Sequence, residues 1–405
     1  MARNATEWES APALPEDHFV SAAVYTDPAI LEEERDRIFR KSWKFACHES
    51  EIQNAGDYRT LDHAGIPIVV IRGGDGQIRA FINSCSHRGS LIATALRGNA
   101  KRLTCFFHLW SFDQKGDCAE ITRPEGYQRC GVTKDKMGLR AVRTACRLGM
   151  IFINLDDSAA SFDDFVGDAL QDLEAPMGTV PLEVFHLHRV TMRANWKQWH
   201  ETNMELYHEW GHVVNRTTSV AVPGYHERKW KIHPNGHGSL DPLRVRYENY
   251  RGWDARESLL LPSLAPAEFR VVDLFPNTTV IVRGTVIRID TSIPVAPGLT
   301  VLEQRGLGVK GESSEDRRVR QLHHNQFWGP FGRNLSEDVI FVEAVEQASR
   351  HGGSRHGIIA RHENLMSQDD EIMRAYYRVW SRHMGRSASD PYGVQARPRA
   401  KAAAA

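Results

Sequence analysis

Hydrophobic periodicity changes several times along the chain. From Pro28 to Lys41, Ile30, Leu31, Glu34 and Ile38 fall at helical spacing with a charged opposite face, and Pro28 suits a first turn. From about residue 42 to 155 the pattern turns to short strands. Ile66–Ile71 reads as a strand, Gly73–Gly76 as a turn and Gln77–Asn83 as the returning strand, so the segment predicts a hairpin. Arg102–Phe107, Trp110–Asp113 and Met150–Leu155 are further strand candidates, punctuated by Gly116 and Gly149. Asp156–Ser161 reads as a linker.

Beyond the linker, helix and strand signals mix. Phe162–Leu173 predicts a helix, Val184–Ala194 a strand, and Asn195–Val214 a helix. Residues 215–265 are loop-rich. Alternating apolar runs over Glu268–Asp290 predict an antiparallel sheet, and Ser314–Phe327, Ser336–Arg350 and Gln368–Met384 predict helices. The Ala/Lys/Arg-rich end, Arg397–Ala405, predicts a disordered tail. The layout implies an α+β chain with an N-terminal segment and helix (1–41), an all-β domain (42–157), a larger mixed domain (162–386) and a tail (387–405).

Composition narrows the function classes. The chain has 405 residues, 51 basic and 51 acidic side chains and a formal net charge of zero, so it lacks the basic excess of a nucleic-acid-binding surface. No apolar run approaches the ~18 residues of a membrane span, and the polar start lacks a secretory h-region. The expectation is a soluble, cytoplasmic protein. In such a chain the six cysteines are metal ligands or free thiols rather than a disulfide framework.

Two cysteines stand close to histidines. Cys85-Ser86-His87 and Cys105-Phe106-Phe107-His108 are separated by seventeen residues. Two thiolates for one iron and two neutral imidazoles for the other make a Rieske-type [2Fe–2S] ligand set. Chance places four such residues at one fixed spacing in about 2 in 10,000 chains of this composition. Zinc also takes Cys₂His₂, but the downstream pair is another Cys/His pair rather than the His-x₃₋₅-His of a zinc finger. Cys47, Cys118, Cys130 and Cys146 read as free structural thiols.

About a hundred residues on, His208 and His212 are four apart, which on a helix puts both imidazoles on one face, with Glu205 sharing it. Two neutral histidines and a carboxylate form the facial triad of non-haem Fe(II) oxygenases. Alone, such a pair is more often a solvated face; a cluster in the same chain gives it chemical sense. The third ligand is an acidic residue elsewhere, with Glu337, Asp338 and Glu343 as candidates. An acidic residue in a first helical turn is also favoured simply by the macrodipole.

The motifs together resemble the large subunits of Rieske non-haem iron ring-hydroxylating oxygenases. The resemblance is carried by Cys85–Gly89, Cys105–Phe112, the lead-in Asn195-Trp196-Lys197, Tyr207-His208, the Asp338 segment and Trp380–Gly385. It departs at Thr202, where the family usually has Asn, at Glu205, where many members have Asp, and in the short His208–His212 spacing. It implies a Rieske domain followed by a helix-grip catalytic domain, and it selects Asp338 as third iron ligand. Further implications are O₂ as co-substrate and electrons from NAD(P)H through a reductase or ferredoxin. A trimer is implied, with or without a small subunit, in which Glu205 bridges His208 and His108 of the next chain.

The layout looks closest to the branch acting on aromatic carboxylates such as terephthalate and salicylate. A carboxylate would want an arginine fork, for which Arg283, Arg288 and Arg361 are candidates. Trp210, Phe275, Phe327 and Phe331 are candidates for an apolar pocket. Rival expectations are a Rieske monooxygenase or demethylase of a non-carboxylated substrate and a non-catalytic electron carrier. About three irons per chain mark the oxygenase and two the carrier.

Overall fold

A computed structural model describes residues 4–218, 227–244, 257–266, 268–330 and 332–393. Phe331 and the predicted tail lie outside them, as does much of the loop-rich stretch. Two seven-stranded antiparallel sheets dominate. The first runs Lys44–His48, Met150–Asn154, Ala141–Arg147, Ile78–Ile82, Pro67–Arg72, Asp57–Asp62, Arg97–Asn99. The expected hairpin is its centre, turning at Gly76, whose φ of +77° suits a residue without Cβ. A small sheet of Leu103–Thr104, Ser111–Phe112 and Cys118–Glu120 packs beside it.

The second sheet runs Leu182–Met192, Leu299–Val309, Val286–Ala296, Thr278–Arg283, Glu268–Leu274, Gly238–Arg244, Trp230–Ile232. Leu299–Val309, which the apolar pattern did not single out, is an interior strand, second from one edge. It pairs on one side with Leu182–Met192 and on the other with Val286–Ala296. Helices Trp196–Met204, Ser314–Phe327, Arg333–Arg350 and Glu371–Met384 cover the sheet.

Several expected elements are shortened or broken. The helix expected over Asn195–Val214 stops at Met204. Glu205 is extended (φ −107°, ψ 135°), and the amide of Leu206 donates to the Ser367 carbonyl instead of continuing the helical ladder. A five-residue 3₁₀ turn, Tyr207–Gly211, follows, and His212 is again extended. The helix expected over Phe162–Leu173 ends at Val166, because Gly167 takes a positive φ, and a second begins at Gln171. The strands expected at 102–107 and 110–113 shrink to two residues each, since the intervening residues form a turn around Cys105.

The Asn195-Trp196-Lys197 lead-in has a packing reason. Asn195 caps the helix in a reciprocal box with Gln198. Lys197 Nζ meets the Glu34 carboxylate at 2.7 Å with both side chains fully buried, and the Trp196 and Trp380 indoles donate to the same carboxylate. The N-terminal helix Pro28–Glu34 is thereby pinned between the helix before the site and the last helix. The two sheets are joined by a second buried network, in which Arg59 and Arg305 each pair with both Glu51 and Glu303. Removing one member of such a network would strand buried charge, at a cost of about 3–5 kcal/mol.

Candidate functional site

The Cys85 and Cys105 loops are built alike. Cys85 N–H donates to the Ser90 carbonyl (2.8 Å) and its carbonyl accepts from Gly89 N–H (2.9 Å). Cys105 N–H donates to the Trp110 carbonyl and its carbonyl accepts from Leu109 N–H, both at 2.9 Å. The fifth residue of each turn is left-handed, Gly89 at φ +73° and Leu109 at φ +60°. This shape turns amides toward the sulfur atoms. Burial pushes the Cys105 thiol up, but the amides of Phe107 and His108 outweigh it and lower the pKa. Burial and the neighbouring Cys105 raise that of Cys85, against the amides of His87 and Arg88.

The His87 and His108 rings stand 4.5 Å apart, and His87 stacks on Trp110 at 4.7 Å. His87 Nε2 contacts the Tyr127 hydroxyl at 3.1 Å, while its Nδ1 is buried without a partner. Burial, with the charges of His108 and Arg88, lowers the His87 pKa, so the ring is a neutral ligand near pH 7. These are the donors a [2Fe–2S] cluster needs. They are spread wider than one ion's shell, since among the described residues the groups with donor atoms within 4.8 Å of one another lie elsewhere. A tetrahedral zinc would need them closer.

The second site is assembled from distant pieces. His208, His212 and Asp338 bring donor atoms within 4.8 Å of one another. Asp338 Oδ1 lies 3.4 Å from His208 Nε2 and 3.1 Å from His212 Nε2. The two histidines converge from a 3₁₀ turn and its extended cap rather than from one helical face. Gly211 lets that turn press on the helix Arg333–Arg350, because a Cβ there would stand 2.7 Å from the Phe341 ring. That helix starts at Arg333, not Ser336, so Asp338 lies in its second turn, inside, and is not a macrodipole acid.

Both outer imidazole nitrogens meet carboxylates: His208 Nδ1 with Glu205 at 2.6 Å and His212 Nδ1 with Glu337 at 2.7 Å. Burial would lower both histidine pKa values, but these carboxylates and Asp338 raise them, that of His208 well above its usual value. Asp338 is raised by burial and then drawn down to about 2 by hydrogen bonds and charge from the two rings. Glu337 therefore sits behind a ring, and Glu343 bonds the Arg193 amide away from the site. The Asp338 Oδ1 and two inward Nε2 atoms, which converge on one another, fit a mononuclear metal with carboxylate-backed ligands.

Residues 42–135 match the Rieske [2Fe–2S] domain family, and residues 179–385 match the ring hydroxylating alpha subunit catalytic domain. The chain belongs to the ring-hydroxylating oxygenase alpha subunits. It is 44% identical to the 2-aminobenzenesulfonate 2,3-dioxygenase subunit alpha of an Alcaligenes species, covering 96% of this chain and 99% of that protein. It is 40% identical to the methanesulfonate monooxygenase hydroxylase subunit alpha of Methylosulfonomonas methylovora, covering 96% and 97%. The fold is that of naphthalene 1,2-dioxygenase from a Rhodococcus species, with a TM-score of 0.79 and 19% identity over 93% of this chain and 95% of that one.

This oxygenase alpha subunit thus carries a [2Fe–2S] cluster and a mononuclear iron and uses O₂. Among its described residues no helix is long and apolar enough to cross a membrane. Of the three arginines, Arg288 is buried near the iron site: it pairs with Asp290 at 2.6 Å, donates to Asn203 at 3.1 Å and is acted on by the Asp338 charge. Arg283 is buried against Phe269, Phe327 and Trp328. Arg361 is not brought to these. It is partly exposed, pairs with Glu363 and lies over Tyr207. Phe275 is core packing against Tyr376, and Trp210 is largely exposed.

Sequence reasoning missed one group of side chains altogether. His186 and His188 on the strand Leu182–Met192 and His324 on the helix Ser314–Phe327 also bring donor nitrogens within 4.8 Å. The signal was present: His-Leu-His on a strand places both rings on one face.

Proposed function

We propose that this oxygenase hydroxylates a small organic sulfonate, with His208, His212 and Asp338 holding the iron and Cys85, His87, Cys105 and His108 holding the cluster. The iron, once bound, supplies O₂ activation and the cluster supplies electrons. The protein's own part is placement. Glu205 and Glu337 fix the tautomer and direction of His208 and His212, leaving Nε2 of each for the metal. Arg288 is a buried guanidinium whose charge Asp290 balances at 2.6 Å, and the two relatives named for sulfonates carry the anionic-substrate reading. The sulfonate is suggested by the two relatives named above, both named for sulfonates and both matched over nearly their whole length. An aromatic carboxylate is the second reading, since it is an anion of the same charge.

Electrons would come from NAD(P)H through a reductase or ferredoxin. The oligomer would be a trimer, with or without a small subunit. Phe106, Phe107 and Leu109 expose 67%, 53% and 59% of their surface around a cluster loop. A cavity of about 300 Å³ beside Glu205, Tyr207 and His208 offers a recess for that tip from a neighbouring copy. Glu205 would then link His208 to His108 of the neighbour. A cytoplasmic location fits this electron supply.

The test is O₂ and NADH consumption by iron-loaded protein with a generic reductase. The panel is 2-aminobenzenesulfonate, benzenesulfonate, methanesulfonate, anthranilate and benzoate, with ¹⁸O₂ product analysis. Turnover of a sulfonate with label in the product is expected. Turnover confined to the carboxylates would replace the sulfonate reading with the second one.

A further inference from the structure

Strand alternation and one bulge bring three histidines together away from the iron triad and the cluster loops. His186 and His188 are two apart on the strand Leu182–Met192, so both rings leave the same face of the second sheet. The strand carries a bulge between Val184 and His186, a feature that re-aims side chains. His186 stands opposite Gly306, which has no side chain to fill the row. His324, on the helix Ser314–Phe327, comes down into that gap: a Cβ on Gly306 would lie 2.9 Å from its Nδ1.

The rings are spaced as ligands of one ion are. A zinc about 2.0–2.1 Å from each nitrogen, at tetrahedral angles, puts donor atoms about 3.4 Å apart and ring centres about 5 Å apart. His186 Nε2 and His188 Nδ1 are 3.0 Å apart, and all three residues offer donors within 4.8 Å of one another. Ring centres are 5.0 Å apart for His186 and His188, 4.8 Å for His186 and His324, and 6.4 Å for His188 and His324. The iron histidines His208 and His212 stand 5.4 Å apart, inside that range.

His324 supplies a second observation. It is 0% exposed, and neither of its nitrogens has a hydrogen-bond partner among the described residues. Burying an imidazole in that way costs free energy, which a group bound to the ring would relieve. The surroundings do not bar a cation. Arg288, beyond Gly306 on the next strand, is held by Asp290 at 2.6 Å, so its charge is balanced within the sheet. A set of imidazoles without a carboxylate suits zinc or a similar transition ion rather than magnesium or calcium.

We propose that His186, His188 and His324 form a further metal site, distinct from the cluster and the iron, that takes a zinc-class divalent ion and leaves its fourth position to water. The proton now shared between His186 and His188 moves to the outer nitrogen of the ring that holds it, and both inner lone pairs face the ion. The ion ties the strand Leu182–Met192 to the helix Ser314–Phe327. The site owes nothing to the identity of the substrate, so it stands or falls apart from the sulfonate reading.

The test adds zinc to the full chain already carrying its cluster and iron, removes the excess and counts metals. Wild type should hold one zinc per chain beyond about three irons, with imidazole nitrogens at about 2.0 Å and no thiolate at about 2.3 Å in zinc X-ray absorption. His324→Leu and His186→Leu should weaken zinc binding by at least about 100-fold in chelator competition, since a lost ligand costs more than a lost partner behind a ligand. Asp338→Asn should keep the zinc. An unchanged Rieske spectrum shows that the variants fold, and His186→Leu alters a half-buried side chain should His324→Leu not fold. Wild type that holds no zinc beyond its irons overturns the proposal. So does zinc held equally by both leucine variants, or zinc that replaces an iron and is lost in Asp338→Asn.

Discussion

Among its described residues the chain holds two triads of closely spaced donor side chains with different electrostatic surroundings. In each, three donors come within 4.8 Å of one another, two from a short stretch of chain and one from a covering helix. Around His208, His212 and Asp338, three carboxylates contact the rings and hold the histidine pKa values up. Around His186, His188 and His324 there are rings, Gln304 and Arg288 with its partner Asp290. Burial, with the charges of the neighbouring rings and Arg288, lowers His188 to about 4 and His324 to about 2. Donor spacing therefore does not decide what a cluster binds. The groups behind the donors do, by setting the local charge and the direction of each lone pair.

The largest effect should come from removing the carboxylate that separates the two cases. Asp338→Asn keeps the shape of the iron triad and deletes its charge. Iron content should fall from about three to two per chain, with the Rieske spectrum retained. Product formation should drop by at least about 10³-fold, as when a group essential to the reacting centre is lost. Normal turnover in this variant would show that charge is not what distinguishes the triads. A smaller effect is expected one shell out. Glu337→Gln leaves a hydrogen-bonding group on His212 Nδ1 but removes the charge. Iron affinity, measured by competition with a chelator, should weaken by roughly 10- to 100-fold.

The two sites also differed in how readable they were. The cluster loops are local: each Cys, its His and the left-handed residue lie within five residues, so spacing alone carried the chemistry. His208 and His212 were singled out from their spacing on a helical premise that the structure overturns. Their segment is not a helix, because Ser367, far along the chain, takes the Leu206 amide and breaks the ladder. Asp338 needed the family resemblance, since nothing in its neighbourhood tells an inward second-turn acid from an outward first-turn one. Glu337 was weighed as a ligand and stands behind His212. The second triad needed strand register, which depends on Leu299–Val309, an element the apolar pattern passed over.

The smallest effect sharpens the contrast through its sign. His324 has a folded pKa of about 2 against an unfolded value near 6.5, so the unfolded chain binds its proton first as the pH falls. Its depressed pKa leaves folding stability undiminished above about pH 6.5 and erodes it below. Between pH 7 and pH 5.5 the loss amounts to about 1.3 kcal/mol from this ring alone. His237 adds to the same slope: it accepts from the Phe275 amide at Nδ1 and donates to the Phe165 carbonyl at Nε2, and burial lowers it to about 4. In urea titrations of holoprotein, His324→Phe should flatten the acid loss by about that 1.3 kcal/mol. His208 works in the opposite direction in iron-free protein. Its folded pKa is raised, so its contribution is fully present below about pH 6.5 and is lost as the pH climbs through the folded value. Equal acid slopes for wild type and His324→Phe would mean that His324 does not stay neutral in the folded chain, and the electrostatic distinction between the triads would fall with it.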